Sequence, residues 1–211
     1  MSDGTWNAVT VNLGGAGPQR GEYAKSAHEW IAGALGKYHI VFAQEIHGDD
    51  WLKDWRDAGY TVIESPHEQF RARSAILVRS GIAAAPYEGP PVFRTAPYHG
   101  SYVAAARVDR PGHGEIVVMS VHASPNRVSE EWAKRWRACH VDLPEEYRGE
   151  RWDSDLVLES VRRVATAPLP KIAAGDWNEA RLWDDEALGT TGGKAFFARV
   201  AEVGLVDCCC P

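Results

Sequence analysis

The chain has 211 residues, 45% hydrophobic and 25% charged, which is the mix of a soluble globular protein long enough to bury a core without staples. Its net charge of −6 argues against a protein that coats nucleic acid through bulk positive charge, but not against a nuclease, because a carboxylate-rich metal site is itself acidic. No apolar run approaches the ~20 residues needed to cross a bilayer, so no integral membrane association is expected. The start, Met1-Ser2-Asp3-Gly4-Thr5, lacks the basic and apolar regions of a secretory signal, and a cytoplasmic location is the expectation.

In chain order, residues 8–13 read as a strand, followed by a glycine-rich turn over 14–20. Apolar residues at helical spacing predict a helix over 22–35, which Gly36 stops. Residues 40–43 form a buried strand ending at Gln44-Glu45. A short helix over 51–58 follows, with Trp51, Leu52 and Trp55 on one face, and then strands over 60–63 and 74–78. The proline-rich stretch 81–100 reads as loop, with room for a short strand at Val92-Phe93. Strands over 102–108 and 116–121 pair around the turn Arg110-Pro111-Gly112-His113-Gly114. Residues 126–152 form a polar, insertion-like region rich in Trp, Arg and Glu, in which Trp132 and Trp136 share a helix face. Ser154 or Asp155 caps a helix running to about residue 167. A strand over 171–174 ends at Gly175-Asp176, a helix covers 194–203, and a last strand covers 205–209.

Strands alternating with helical patterns indicate an α/β domain, and no composition shift divides the chain, so residues 1–211 read as one domain. Of the four cysteines, Cys208, Cys209 and Cys210 are consecutive; no CxxC pair is present, and the run reads as reduced, partly buried thiols in a strand. The arginines at 135, 137, 148 and 151 interleave with acidic residues and read as a solvated face. Neither GxGxxG nor GxxxxGK[ST] occurs, which disfavours a nucleotide-binding module.

Polar residues stand where four of the apolar strands end: Asn12, Gln44-Glu45, His122, and Asp176-Trp177-Asn178. Strand ends are where α/β folds build sites, because a rigid sheet holds loop residues in place. Hard oxygen ligands of this kind suit magnesium, which polarises phosphoryl oxygens.

These segments resemble the endonuclease/exonuclease/phosphatase superfamily, whose fold is that of deoxyribonuclease I. The resemblance rests on Val9-Thr10-Val11-Asn12-Leu13, Phe42-Ala43-Gln44-Glu45, Val117-Val118-Met119-Ser120-Val121-His122 and Ala174-Gly175-Asp176-Trp177-Asn178, in that order over essentially the whole chain. It implies two stacked mixed β-sheets flanked by helices, in four layers. It implies divalent-metal-dependent hydrolysis of phosphoesters by a phosphodiesterase, nuclease or phosphatase, with Mg2+ as cofactor and Mn2+ as an alternative. The substrate is then a nucleic acid, a phospholipid head group or a small phosphate ester.

By the same resemblance Glu45 is a metal ligand and Asn12 lies beside it, helping to place the ion. His122 contacts the scissile phosphate, Asp176 orients the attacking water, and Asn178 donates to the phosphate. His99 and Tyr102, before a strand that borders the site in the family, are candidate substrate contacts. The family pattern closes with a strand ending in Asp-His. Nothing here matches it after Gly204-Leu205-Val206-Asp207, and no histidine follows His140. The expectation is therefore a domain incomplete at its C-terminal side, lacking its last strands. The alternative to an enzyme is a catalytically incomplete member acting as a binding protein. Oligomeric state is not legible.

Overall fold

The computed structural model describes residues 5–14, 29–31, 33, 36–46, 49–65, 73–87, 103–110, 112–123, 127–138, 152–165, 168–178, 193–206 and 208. Among these residues eight strands form two sheets of four. Sheet A contains β1 (Ala8–Asn12), β2 (Ile40–Ile46), β3 (Tyr60–Glu64) and β4 (Arg73–Arg79), in the order β1-β2-β4-β3. Sheet B contains β5 (Ala84–Pro86), β6 (Val103–Arg110), β7 (Gly114–His122) and β8 (Lys171–Asp176), in sequence order. Each sheet is mixed: β1 runs parallel to β2 and β7 parallel to β8, and the other pairs are antiparallel.

A parallel pair needs a crossover long enough to return the chain to the same end. Between β1 and β2, residues 29–31 and 33 are helical, on the predicted helix over 22–35, and Ile31 is fully buried. Between β7 and β8 lie α2 (Glu130–Ala138) and α3 (Asp153–Ala165); α1 (Asp50–Asp57) precedes β3, and α4 (Gly193–Glu202) follows β8. At the start of α3 the Asp155 carboxylate reaches back to accept the Trp152 N–H at 3.0 Å, half of a capping box. Asp155 is buried and also pairs with Arg199 of α4, tying the two helices together.

The period-two alternation of the strands decides which side chains meet. Ile40, Phe42, Ile76 and Val78 of sheet A face Ala104, Ala106, Val108 and Val118 of sheet B, forming the core between the sheets. Their alternate neighbours point outward. Val41, Ala43, Ala75 and Leu77 pack with Trp51, Leu52 and Trp55, so α1 covers sheet A. Val117, Met119 and Val121 pack with Val157, Val161 and Val164, so α3 covers sheet B. Each fully buried Val, Leu, Ile or Met side chain among these contributes roughly 2 kcal/mol through loss of water contact. The result is helix, sheet, sheet, helix. Among the described residues no helix is long and apolar enough to cross a membrane.

Three expectations change. The stretch read as loop contains β5, which pairs with β6 through Ala84, Ala85 and Pro86; Pro86 is tolerated because β5 is an edge strand. Leu205 and Val206 are not in a strand. Instead Gly204, at φ +78°, closes α4, with its N–H on Ala201 O at 2.9 Å and the Leu205 N–H on Val200 O at 3.2 Å. Cys208 is accordingly an exposed free thiol, not a partly buried strand residue.

Candidate metal centre

Faces and strand ends coincide at one place. Asn12 lies two residues beyond Thr10, His122 two beyond Ser120, and Asp176 two beyond Ala174, so each continues the face its strand turns toward the opposite sheet. The parallel pairings place Asn12 beside Gln44 and His122 beside Asp176.

Glu45 breaks this alternation. With Val41 and Ala43 on the helix side, an unbroken strand would send Glu45 there too. The register of β2 against β4 shifts between Ala43 and Ile46, so that Gln44 and Glu45 together stand against Ser74. This is a β-bulge, and Glu45 adopts φ +53° within it. The extra residue returns Ile46 to the helix-side core and turns Glu45 toward the other sheet. A left-handed conformation costs a non-glycine residue about 1–2 kcal/mol and persists only where the surroundings impose it.

The side chains converge. Candidate ligand atoms of Glu45, His122 and Asp176 all lie within 4.8 Å of one another. Asn12 Nδ2 donates to Glu45 Oε1 at 2.9 Å and to Asp176 Oδ2 at 2.8 Å, so one amide joins carboxylates from different sheets. Asn12 Oδ1 accepts the Gly14 N–H at 2.7 Å, which orients the amide. Asn12 is thus at the site, but with its nitrogen toward the carboxylates. His122 Nε2 lies 3.3 Å from Glu45 Oε1. Burial lowers the His122 pKa below its ordinary value, against the opposing pull of Glu45 and Asp176, and the neutral imidazole is favoured. Asn178, also left-handed at φ +49°, donates its backbone N–H to Asp176 Oδ1 at 2.9 Å and its Nδ2 to Ala123 O at 2.5 Å.

Two anionic groups this close, with a neutral imidazole, form a donor set that fits a hard divalent cation, which would offset their repulsion. Replacing the bridging amide should expose that repulsion. Asn12→Asp is expected to lower the melting temperature in chelator by roughly 5–10 °C, from about 2–3 kcal/mol of lost charged hydrogen bonds and added like charge. Millimolar Mg2+ should restore part of the loss. Differential scanning calorimetry in both buffers checks this; equal melting temperatures in chelator would show that the amide does not brace the carboxylates.

The structure therefore brings Asn12, Glu45, His122, Asp176 and Asn178 to one place. His99 and Tyr102 lie outside the described residues. Reading the sequence assigns no role to Gly175, yet it sets the approach of β8 to β7. Its φ is +154°, and a Cβ there would overlap the Val121 carbonyl. Its signal is a glycine between a buried strand and an acidic residue. A cavity of about 560 Å3 flanks β8, lined by Gly175, Trp177 and Phe196 among others.

No family model matches the sequence, and no curated protein does. Solved structures match its fold. The 3′ phosphatase NExo from Neisseria, bound to a product DNA hairpin, gives a TM-score of 0.56 at 14% identity, over 95% of this chain and 71% of that one. A humanized D. rerio TDP2 gives 0.53 at 14% identity, with the same coverages of 95% and 71%. TDP2 from C. elegans gives 0.49 at 17% identity over 82% of this chain and 47% of that one, so this chain spans about half of its length. At 14% identity the two likenesses above a TM-score of 0.5 show a deoxyribonuclease I-like fold, and a fold by itself does not assign a chemistry.

Proposed function

We propose that this chain is a divalent-metal-dependent phosphoester hydrolase whose ion is held by Glu45 and Asp176. One observation carries the reading: two carboxylates from different sheets and a buried imidazole converge within 4.8 Å, in a backbone bent to deliver one of them. Mg2+ is the ion we favour, with Mn2+ able to replace it, because the anionic donors are carboxylate oxygens. When bound, it would polarise a phosphoryl oxygen and offset the charge developing in an in-line displacement.

The chain's own residues would do the rest. Asn12 keeps the carboxylates in place through its two N–H donations. The Asp176 carboxylate would also align the attacking water. His122, whose burial disfavours the charged imidazolium, would hydrogen-bond the scissile phosphate through Nε2. Asn178 uses one amide hydrogen on Ala123; the second would donate to a phosphate oxygen. We take the 211 residues as one domain of this class.

Nucleic acid is the first substrate class to test, because the neighbour at TM-score 0.56 is a 3′ phosphatase bound to product DNA. The experiment offers oligonucleotides with internal phosphodiesters or a 3′-phosphate, in Mg2+ and in excess chelator. Hydrolysis in Mg2+ that stops in chelator is the expected result. Equal rates in both would overturn the metal assignment. Calorimetric Mg2+ binding without turnover of nucleic acid, lipid or small phosphate esters would favour a non-catalytic binding protein.

A further inference from the structure

The candidate centre is divided between sheets: Asn12 and Glu45 come from sheet A, His122 and Asp176 from sheet B. Its dimensions therefore depend on how the sheets sit against each other. The core between them is apolar, and apolar contact is non-directional. Such contact holds two sheets together through shape, with no directional restraint of its own at the centre.

Among the described residues, a polar connection crosses that core directly behind the centre. Gln44 Nε2 of sheet A donates to Ser120 Oγ of sheet B at 2.8 Å. Ser120 Oγ donates in turn to Ala43 O at 3.0 Å, so the hydroxyl is held twice by β2. Thr10 Oγ1 of β1 donates to Gln44 Oε1 at 3.2 Å and orients its amide. Gln44 is 1% exposed and Ser120 0%, so water does not compete for these bonds. Gln44 immediately precedes Glu45 in the bulge, and Ser120 lies two residues before His122 on the same face of β7. A buried, directional tie one residue from one candidate ligand and two from another is placed to set the distance between them.

We propose that Gln44 and Ser120 are positioning residues that pin the two sheets and thereby set the spacing of Glu45 from His122. The role in metal binding rests on the reading of the centre given above; the spacing itself does not. Removing the Ser120 hydroxyl leaves Gln44 Nε2 buried without that partner and removes the tie behind the centre, leaving the Asn12–Asp176 bond within the centre itself to join the sheets.

The test uses the full chain, with Ser120→Ala against Val118→Ala as a control. Val118 lies on the same face of β7 and is buried in the apolar core between the sheets. Both variants lose stability, and melting curves establish that each is folded at the assay temperature. Two readouts follow: Mn2+ affinity by titration calorimetry, and the His122 imidazole resonances by NMR in chelator. Ser120→Ala is expected to bind Mn2+ about tenfold more weakly and to shift the imidazole resonances, with Val118→Ala close to wild type in both. Gln44→Leu should reproduce the Ser120→Ala result through the other partner. Ser120→Ala within twofold of wild type in affinity, with unmoved imidazole resonances, would overturn the proposal, as would equal effects in the control. If wild type binds no Mn2+, the metal reading fails, and the imidazole resonances alone decide whether the tie sets the spacing.

Discussion

Glu45→Gln is expected to lower kcat for Mg2+-dependent phosphoester hydrolysis by about 1,000-fold while leaving the fold intact. The substitution keeps the length and branching of the side chain and removes one negative charge. Charge stabilisation by a bound cation is worth several kcal/mol, and each ~1.4 kcal/mol is a factor of ten in rate. Folding should survive because Gln meets the same backbone demand as Glu at φ +53°. In chelator the variant should be at least as stable as wild type, because Glu45 and Asp176 no longer repel across the Asn12 bridge. Steady-state kinetics with a DNA substrate, alongside thermal melts in chelator, check both halves. Activity within threefold of wild type would remove Glu45 from the centre.

Gly175→Ala is expected to have the largest effect on stability, about 4 kcal/mol or roughly a 10 °C drop in melting temperature. Two mechanisms add. A φ of +154° is open to glycine and strained for alanine. The new methyl group would also overlap the Val121 carbonyl, and backbone held in a strand ladder has little room to yield. Val121 and Gly175 are register partners, and the next pair is His122 and Asp176. Parting the strands would therefore displace half of the centre, and surviving protein should also bind Mn2+ more weakly. Gly81→Ala is the control: its φ is +88°, but open space surrounds it. It should lose only the conformational part, about 1 kcal/mol. Equal losses in the two variants would mean that the close strand approach is not the cause.

Much of this molecule is readable along the chain. Apolar runs such as Ile40 to Ala43 and Val117 to Val121 carry their strand character locally, because period and β-branching act over a few residues. Trp51, Leu52 and Trp55 announce the buried face of α1 for the same reason, since helical spacing alone groups them. The polar residues that end the strands were legible as candidates because charge and amides interrupt apolar runs there. What stayed hidden was long-range. Ala84 to Pro86 becomes a strand only because β6 offers it a partner. Leu205 and Val206 have strand-like side chains, but strand formation needs a neighbour, and the Gly204 turn keeps both outside any strand.

The sequence by itself determined the α/β class, most of the strands along the chain and the residue types at their ends, since these follow from local periodicity and turn chemistry. Only the tertiary structure decided that those ends form a centre. Asn12 and Asp176 are 164 residues apart, and no local rule brings an amide to 2.8 Å from a carboxylate over that distance. Only the packed sheets show that Glu45 needs a bulge to face the others, that Asn12 presents nitrogen to the carboxylates, and that Ser120 joins the sheets behind them. The physical reason is the same in each case: where a side chain points is local, but what it meets depends on the register and stacking of strands far apart in sequence.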